Sequence, residues 1–223
     1  ATVIPSVGCP MGCNFCSTSA MFGGKGKFNT FYETGDELYE ILLGLARETQ
    51  ARSFFVMDEN FLLNRKRALR VLELMERDRQ SWSFYLFASA NVLRRYSIDE
   101  LLRIGISWIW IGLEGEGSQY GKLRGANTRE MVGEFQANGI RVLGSTIIGL
   151  EDHAPDTIDA AIDYAVSHAT DFHQFMLYTP LPGTALHKGL REQGLIMEEA
   201  EVGLPEIHGQ ARFNYRHPHI RDG

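Results

Sequence analysis

Thr2-Val3-Ile4-Pro5-Ser6-Val7-Gly8-Cys9-Pro10-Met11-Gly12-Cys13-Asn14-Phe15-Cys16 joins a β-branched, apolar run to a loop carrying every cysteine in the chain. The run reads as a strand. The C-x3-C-x2-C spacing behind it brings three thiols onto one tight turn, which suits a soft metal centre. A closed zinc site wants four ligands, and the paired Cys-x2-Cys spacing that usually supplies them is not repeated. A [4Fe–4S] cluster also normally takes four cysteines. With three, one iron is left open to an outside ligand, and open coordination marks a reactive site. Two other readings stand beside this one: a zinc completed by a distant His153 or His173, and three unligated cysteines. The latter fits poorly, because thiols on an exposed loop serve no packing purpose.

Outward from this loop, strand-like runs alternate with helical patterns. The strand candidates are residues 2–7, 53–57, 83–88, 107–112, 141–148 and 172–178. Several are almost continuously apolar, such as Phe54-Phe55-Val56-Met57 and Trp108-Ile109-Trp110-Ile111. Strands covered on both faces read this way, which predicts a parallel sheet clothed by helices. Between them, Thr34 with Glu37 and Ser97 with Glu100 have capping-box spacing, and Asn127 with Glu130 reads as a further cap. Helices are expected behind the Thr34 cap, with Leu38, Ile41, Leu42 and Leu45 on one face, over 65–79, behind the Ser97 cap with Leu101, Leu102 and Ile104, from the Asn127 cap to Asn138-Gly139, from Pro155 to about 168, and over 185–193. Successive βα units imply right-handed crossovers, in either an open doubly wound sheet or an incomplete barrel.

The 223 residues are 44% hydrophobic and 22% charged, an ordinary globular composition. Lys and Arg number 22 against 28 Asp and Glu, a net charge of −6 that argues against a nucleic-acid surface. No apolar run approaches the roughly 18 residues of a membrane span, and no leader-like segment opens the chain. An odd, clustered set of cysteines disfavours a disulfide framework and points to a reducing, cytoplasmic location. Residues 1–195 read as one α/β unit. Residues 196–223 read as a polar extension that packs loosely or against something not in the chain, and His217 and His219 read as part of that polar segment in preference to a metal-binding tail. The chain opens without Met inside a strand, so an upstream domain is expected.

The three-cysteine spacing, with aromatic Phe15 before the last Cys and the first strand just upstream, resembles the radical S-adenosylmethionine (SAM) superfamily. The likeness runs through Gly194. It implies α/β architecture as a partial TIM-like (β/α)6 barrel, and so favours the barrel over the open sheet. It further implies that Cys9, Cys13 and Cys16 hold a [4Fe–4S] cluster whose fourth iron is chelated by SAM. Electron transfer then splits the sulfonium to give a 5′-deoxyadenosyl radical.

In barrels the chemistry collects at the carboxyl ends of the strands. By the resemblance, Asp58 and Glu59 would receive the SAM amino group, as carboxylates suit an ammonium; the competing reading is a solvated turn. Ser89 would face ribose or substrate. Gly112-Leu113-Glu114 resembles the Gly-x-Glu of cobalamin-binding radical SAM proteins, with Glu114 on the ribose. Arg124 would take the SAM carboxylate, or else form a surface ion pair. Ile147 lies in a Gly-x-Ile-x-Gly-like stretch near adenine, and Pro180-Leu181-Pro182-Gly183-Thr184 resembles the turn that shapes the adenine pocket beside Tyr178. Residues 21–27 (Met-Phe-Gly-Gly-Lys-Gly-Lys) read as a flexible lid with two solvated lysines, since a phosphate cradle would need a different ending.

The implied function is therefore a radical SAM core of the cobalamin-binding type. It would methylate, cyclise or rearrange a small molecule or lipid, with electrons from a donor such as flavodoxin or ferredoxin. A cobalamin would come from a domain not present in this chain, since the Asp-x-His-x-x-Gly signature is missing. No cysteines remain for auxiliary clusters, and oxygen sensitivity is expected. The rival from another class is a zinc-stabilised, non-catalytic binding module.

Overall fold

The computed structural model describes residues 1–115, 123, 126–197 and 212–221. Six parallel strands make the central sheet: β1 (Thr2–Val3), then β4 (Ser53–Val56), β5 (Ser83–Phe87), β6 (Ile106–Gly112), β7 (Arg141–Ile148) and β8 (Phe172–Leu177), neighbours in that order. Position in space follows position in the chain. A sheet wound without reversal keeps its crossover helices on one face and curls around the other, which is the partial TIM-like barrel rather than the doubly wound sheet. Among the described residues no pairing joins β8 back to β1.

The first strand is cut short for a chemical reason. Pro5 has no N–H to give to a ladder, so the chain leaves the sheet after Val3. Ser6–Val7 (β2) turns instead to pair antiparallel with Asn29–Thr30 (β3). The Pro5 carbonyl still accepts the Phe31 N–H at 2.8 Å. This detour carries the cysteine loop over the carboxyl end of the sheet.

The outer helices begin where their caps direct. Thr34 and Glu37 exchange both bonds of a capping box at the start of α2 (Gly35–Thr49), as do Ser97 and Glu100 at the start of α5 (Ile98–Ile104). Asn64 caps α3 (Arg65–Arg77) and Asn127 caps α6 (Thr128–Ala137). The helix expected from Pro155 begins later, at Ile158, and runs to Val166 (α7); Pro155 lies in the turn before it. Short helices α1 (Ser17–Met21) and α4 (Ala90–Leu93) lacked a long enough apolar period to be seen in sequence, and α8 (Ala185–Glu192) closes the series.

The two faces of the sheet differ, as the outer helices of a partial barrel require, although the apolar runs alone read as strands covered on both faces. Phe54, Val56, Phe84, Leu86, Ile109 and Ile111 are buried beneath the helices. The alternate residues Phe55, Tyr85, Phe87, Trp108 and Trp110 face the lumen and are only half-buried. Their rings cover one another across strands: Phe55 to Tyr85 at 4.7 Å between centroids, and Phe87 to Trp110 at 5.0 Å. In the sequence, an aromatic lumen and a second helix layer give the same continuous apolar run.

The terminal segment also departs from expectation. Phe213 and Tyr215 are buried in a second apolar cluster with Tyr178, Leu186 and Leu190. The Tyr215 hydroxyl donates to the Gly149 carbonyl, and His217 Nε2 donates to that of Leu150. Gly149, at φ 73°, has no side chain because a Cβ would lie 2.5 Å from the Phe213 ring. The alternation of these rings with Asn214, Arg216 and Pro218 hid the packing.

Leu86 is fully buried, and Leu86→Ala should lower unfolding free energy by roughly 2–5 kcal/mol, read from the denaturation midpoint. His168 is buried with its Nδ1 toward the Tyr164 and Ala165 carbonyls and its Nε2 against the Thr128 hydroxyl. Burial holds this imidazole below its ordinary value, so the folded chain keeps it neutral while the unfolded chain protonates. Stability should therefore fall as pH drops below about 6.5, and His168→Gln should flatten that slope in denaturant titrations.

Candidate active site

Two left-handed glycines shape the cysteine loop. Gly8 at φ 90° and Gly12 at φ 69° occupy conformations that side-chain residues rarely adopt. Cys16 caps α1, its Sγ accepting the Ser19 N–H at 3.5 Å, while the Ser19 hydroxyl donates to the Cys9 carbonyl at 2.9 Å. The Cys16 N–H donates to the Cys13 carbonyl, closing the turn between them. Cys9, Cys13 and Cys16 form no disulfide, are half-buried and open on one cavity of about 570 Å³ at the carboxyl end of the sheet.

Burial pushes the Cys9 thiol up, and the neighbouring Cys16 and Cys13 thiols and the Glu59 carboxylate raise it further. Such a trio ionises together only against a compensating positive charge. Around one zinc, thiolate sulfurs about 2.3 Å from the metal stand about 3.8 Å apart. Among the described residues no three His, Cys, Asp or Glu donors converge as a single-ion site. Three cysteines on one loop, with no fourth in the chain, match the donor set of a cluster that keeps one iron open.

The turn after β4 divides its labour. Glu59 reaches the cavity, whereas Asp58 does not: it turns inward and is buried. Its carboxylate meets Arg67 Nη2 at 2.7 Å and accepts from the Ser6 hydroxyl and the Asn60 N–H. Arg67 also donates to the Tyr32 carbonyl at 3.1 Å, so one buried pair ties α3, β2 and the end of β4 together. The Glu59 carboxylate accepts the Gly8 N–H, and its Oε2 is buried without a hydrogen-bond partner among the described residues. Burial raises its pKa, and the neighbouring Asp58 carboxylate adds to the shift.

Of the other residues singled out from sequence, Phe15, Ser89, Glu114, Ile147 and Tyr178 all line the same cavity. Ser89 is held by Asn60, whose Nδ2 donates to its hydroxyl at 2.9 Å. Glu114 adopts φ 48°, an uncommon conformation for a residue with a side chain. Phe15 meets Tyr178 edge-on at 6.3 Å, and Asn14 Nδ2 reaches the Tyr178 hydroxyl at 3.4 Å. Arg124 lies outside the described residues. The sequence reading missed Arg67, Asn60 and the lumen wall of Met57, Phe87, Trp110 and Met176. Arg67 did leave a signal, since it is a cation on the apolar stripe of Ala68, Val71, Leu72 and Met75.

An incomplete βα barrel with an open three-thiolate loop at the carboxyl ends of its strands defines a cluster-dependent SAM enzyme core. The model of the radical SAM superfamily matches residues 3–165, and the chain belongs to that superfamily, whose members use a [4Fe–4S] cluster and SAM. It is 26% identical over 198 residues to a bacteriochlorophyllide d C-12(1)-methyltransferase of Chlorobaculum tepidum, covering 86% of this chain and 42% of the relative. It is also 26% identical to a hopanoid C-2 methylase of Rhodopseudomonas palustris, covering 87% and 38%. Among solved structures it resembles the radical SAM methyltransferase TsrM of Kitasatospora setae, bound to cobalamin and a [4Fe–4S] cluster. The TM-score is 0.70 at 16% identity, over 86% of this chain and 36% of that one. The chain thus spans about two fifths of the curated relatives' length.

Removing one partner of the buried Asp58–Arg67 pair strands a charge. Arg67→Met and Asp58→Asn should each cost roughly 3–5 kcal/mol, and the double variant less than their sum, as measured by chemical denaturation.

Proposed function

We propose that this chain is the catalytic core of a cobalamin-type radical SAM methyltransferase acting on an unactivated carbon of a small, carbon-rich molecule or lipid. One observation carries the reading: the three-thiol loop and an apolar, aromatic wall face each other across a single cavity. Of the three outcomes implied by the sequence resemblance, methylation is favoured by the curated relatives. Those relatives are named for methylating a bacteriochlorophyllide and a hopanoid, and the wall of Phe87, Trp110, Met57 and Met176 suits a carbon-rich substrate.

Cys9, Cys13 and Cys16 would hold three irons. Glu59 would receive the SAM ammonium on the oxygen left without a partner, a charge-assisted bond strengthened by burial. Glu114 and Ser89 would meet the ribose, with Ile147 and Tyr178 at the adenine and Phe15 against the cluster loop. Asp58 is removed from that set, because Arg67 and Ser6 engage its carboxylate. The bound cluster supplies the electron for reductive cleavage of SAM. The chain's own residues fix SAM at the open iron, keep water away with apolar walls, and hold the substrate carbon nearby. Residues 1–195 form the barrel unit in this reading, with 196–223 as its extension. A cobalamin would be held by a domain outside this chain. No described helix is long and apolar enough to cross a membrane. Three unbridged cysteines on one loop suit a reducing cytoplasm, and a cluster held there would make the protein sensitive to oxygen.

Anaerobic reconstitution should give a brown protein with about four irons per chain that releases 5′-deoxyadenosine from SAM under dithionite. Cys13→Ala should abolish both. Glu59→Gln should keep the iron and raise the KM for SAM about tenfold, the loss of roughly 1.4 kcal/mol of charge-assisted bonding. A colourless protein with one zinc would overturn the assignment.

A further inference from the structure

Asn91 does not line the cavity, yet it decides what the Ser89 hydroxyl offers there. Asn60, buried between the ends of β4 and β5, accepts the Ser89 N–H on its Oδ1 at 3.1 Å. A backbone N–H can only donate, so this bond fixes which way the Asn60 amide is turned. Its Nδ2 is then a donor to the Ser89 Oγ, 2.9 Å away. The Ser89 hydroxyl sends its own hydrogen to Asn91 Oδ1 at 2.7 Å. A hydroxyl has one hydrogen and two lone pairs. With the hydrogen committed to Asn91 and one lone pair to Asn60, a single lone pair is left for a ligand. The donor end of this relay is itself anchored. The Asn60 N–H meets the Asp58 carboxylate at 3.0 Å, and Arg67 holds that carboxylate at 2.7 Å.

We propose that Asn91 is a positioning residue that holds the Ser89 hydroxyl as a pure acceptor, so that the site selects a nucleoside whose ribose hydroxyl donates. The inference rests on the placement of Ser89 at the ribose of SAM proposed above. A ribose O–H supplies the missing hydrogen. A fluorine in its place is nearly the same size but has no hydrogen to give, and it brings its own negative end against the lone pair. Ser89 is 9% exposed, and a buried acceptor left unpaired costs binding. Without Asn91 the polarity reverses. Asn60 still donates from its side, the hydrogen turns to the cavity, and a fluorine can then accept it. A ribose hydroxyl both donates and accepts, so it fits either arrangement.

The cluster-loaded, unreduced chain is dialysed against SAM and against its 2′-deoxy-2′-fluoro and 3′-deoxy-3′-fluoro analogues. The unaltered protein should bind SAM about tenfold more tightly than the analogue whose fluorine meets Ser89. Asn91→Leu, whose side chain keeps water from the vacated place, should leave SAM affinity within about twofold and cut that preference to about twofold. Asn91→Asp keeps an acceptor for the hydrogen and should keep the preference. Iron content should be alike in both variants. The proposal is overturned if the unaltered protein shows no preference, or if Asn91→Leu keeps it. Equal weakening of SAM and the analogues in Asn91→Leu, or loss of the preference in Asn91→Asp, would overturn it as well. Ser89→Ala tests the placement beneath it: the preference should vanish, whereas unchanged affinities for all three ligands would remove Ser89 from the ribose.

Discussion

Three thiols on one short loop are electrostatically uncomfortable, and much of this structure is arranged around that fact. Each thiolate raises the cost of ionising the next, and partial burial adds to it. The loop cannot relax by spreading, because left-handed Gly8 and Gly12 set its path and the Cys16 cap anchors its end to α1. Ionising all three together calls for a strongly positive centre, and three cysteines would leave a four-iron cluster one position short of protein donors. The Pro5 break and the β2–β3 hairpin are the means by which a strand of the sheet delivers this loop over the lumen.

The incomplete barrel supplies the other half of the site. Closing eight strands would fill the interior with side chains. Six strands leave the inner face of the sheet half-covered, with stacked rings for its surface. A carbon-rich ligand can lie on such a wall while the polar rim holds a charged cofactor. The Asp58–Arg67 pair sits behind that rim, where it joins three elements and leaves the adjacent Glu59 free to turn the other way.

Much of this was legible because the signals are local. The capping boxes at Thr34 and Ser97 operate over three residues, and both form as their spacing predicts. The six strands fall where the apolar runs do, since a strand needs only a short stretch to declare itself. Other features were hidden for equally physical reasons. Phe54 and Phe55 are the same residue type side by side, yet Phe54 is buried under the helices and Phe55 is half-buried on the lumen face. The terminal Phe213 and Tyr215 alternate with polar residues, so their burial depends on Tyr178 and Leu186, which are distant in the chain.

By itself, the sequence determined the βα order, the cap positions and the gathering of three cysteines on one loop, because each depends on neighbours within a few residues. Only the tertiary structure decided that the sheet winds without reversal, that its inner face stays open, and that Asp58 turns inward while Glu59 turns outward. Those choices depend on where Arg67, Ser6 and the lumen rings lie in space, and contacts between residues far apart in the chain leave no periodicity to read.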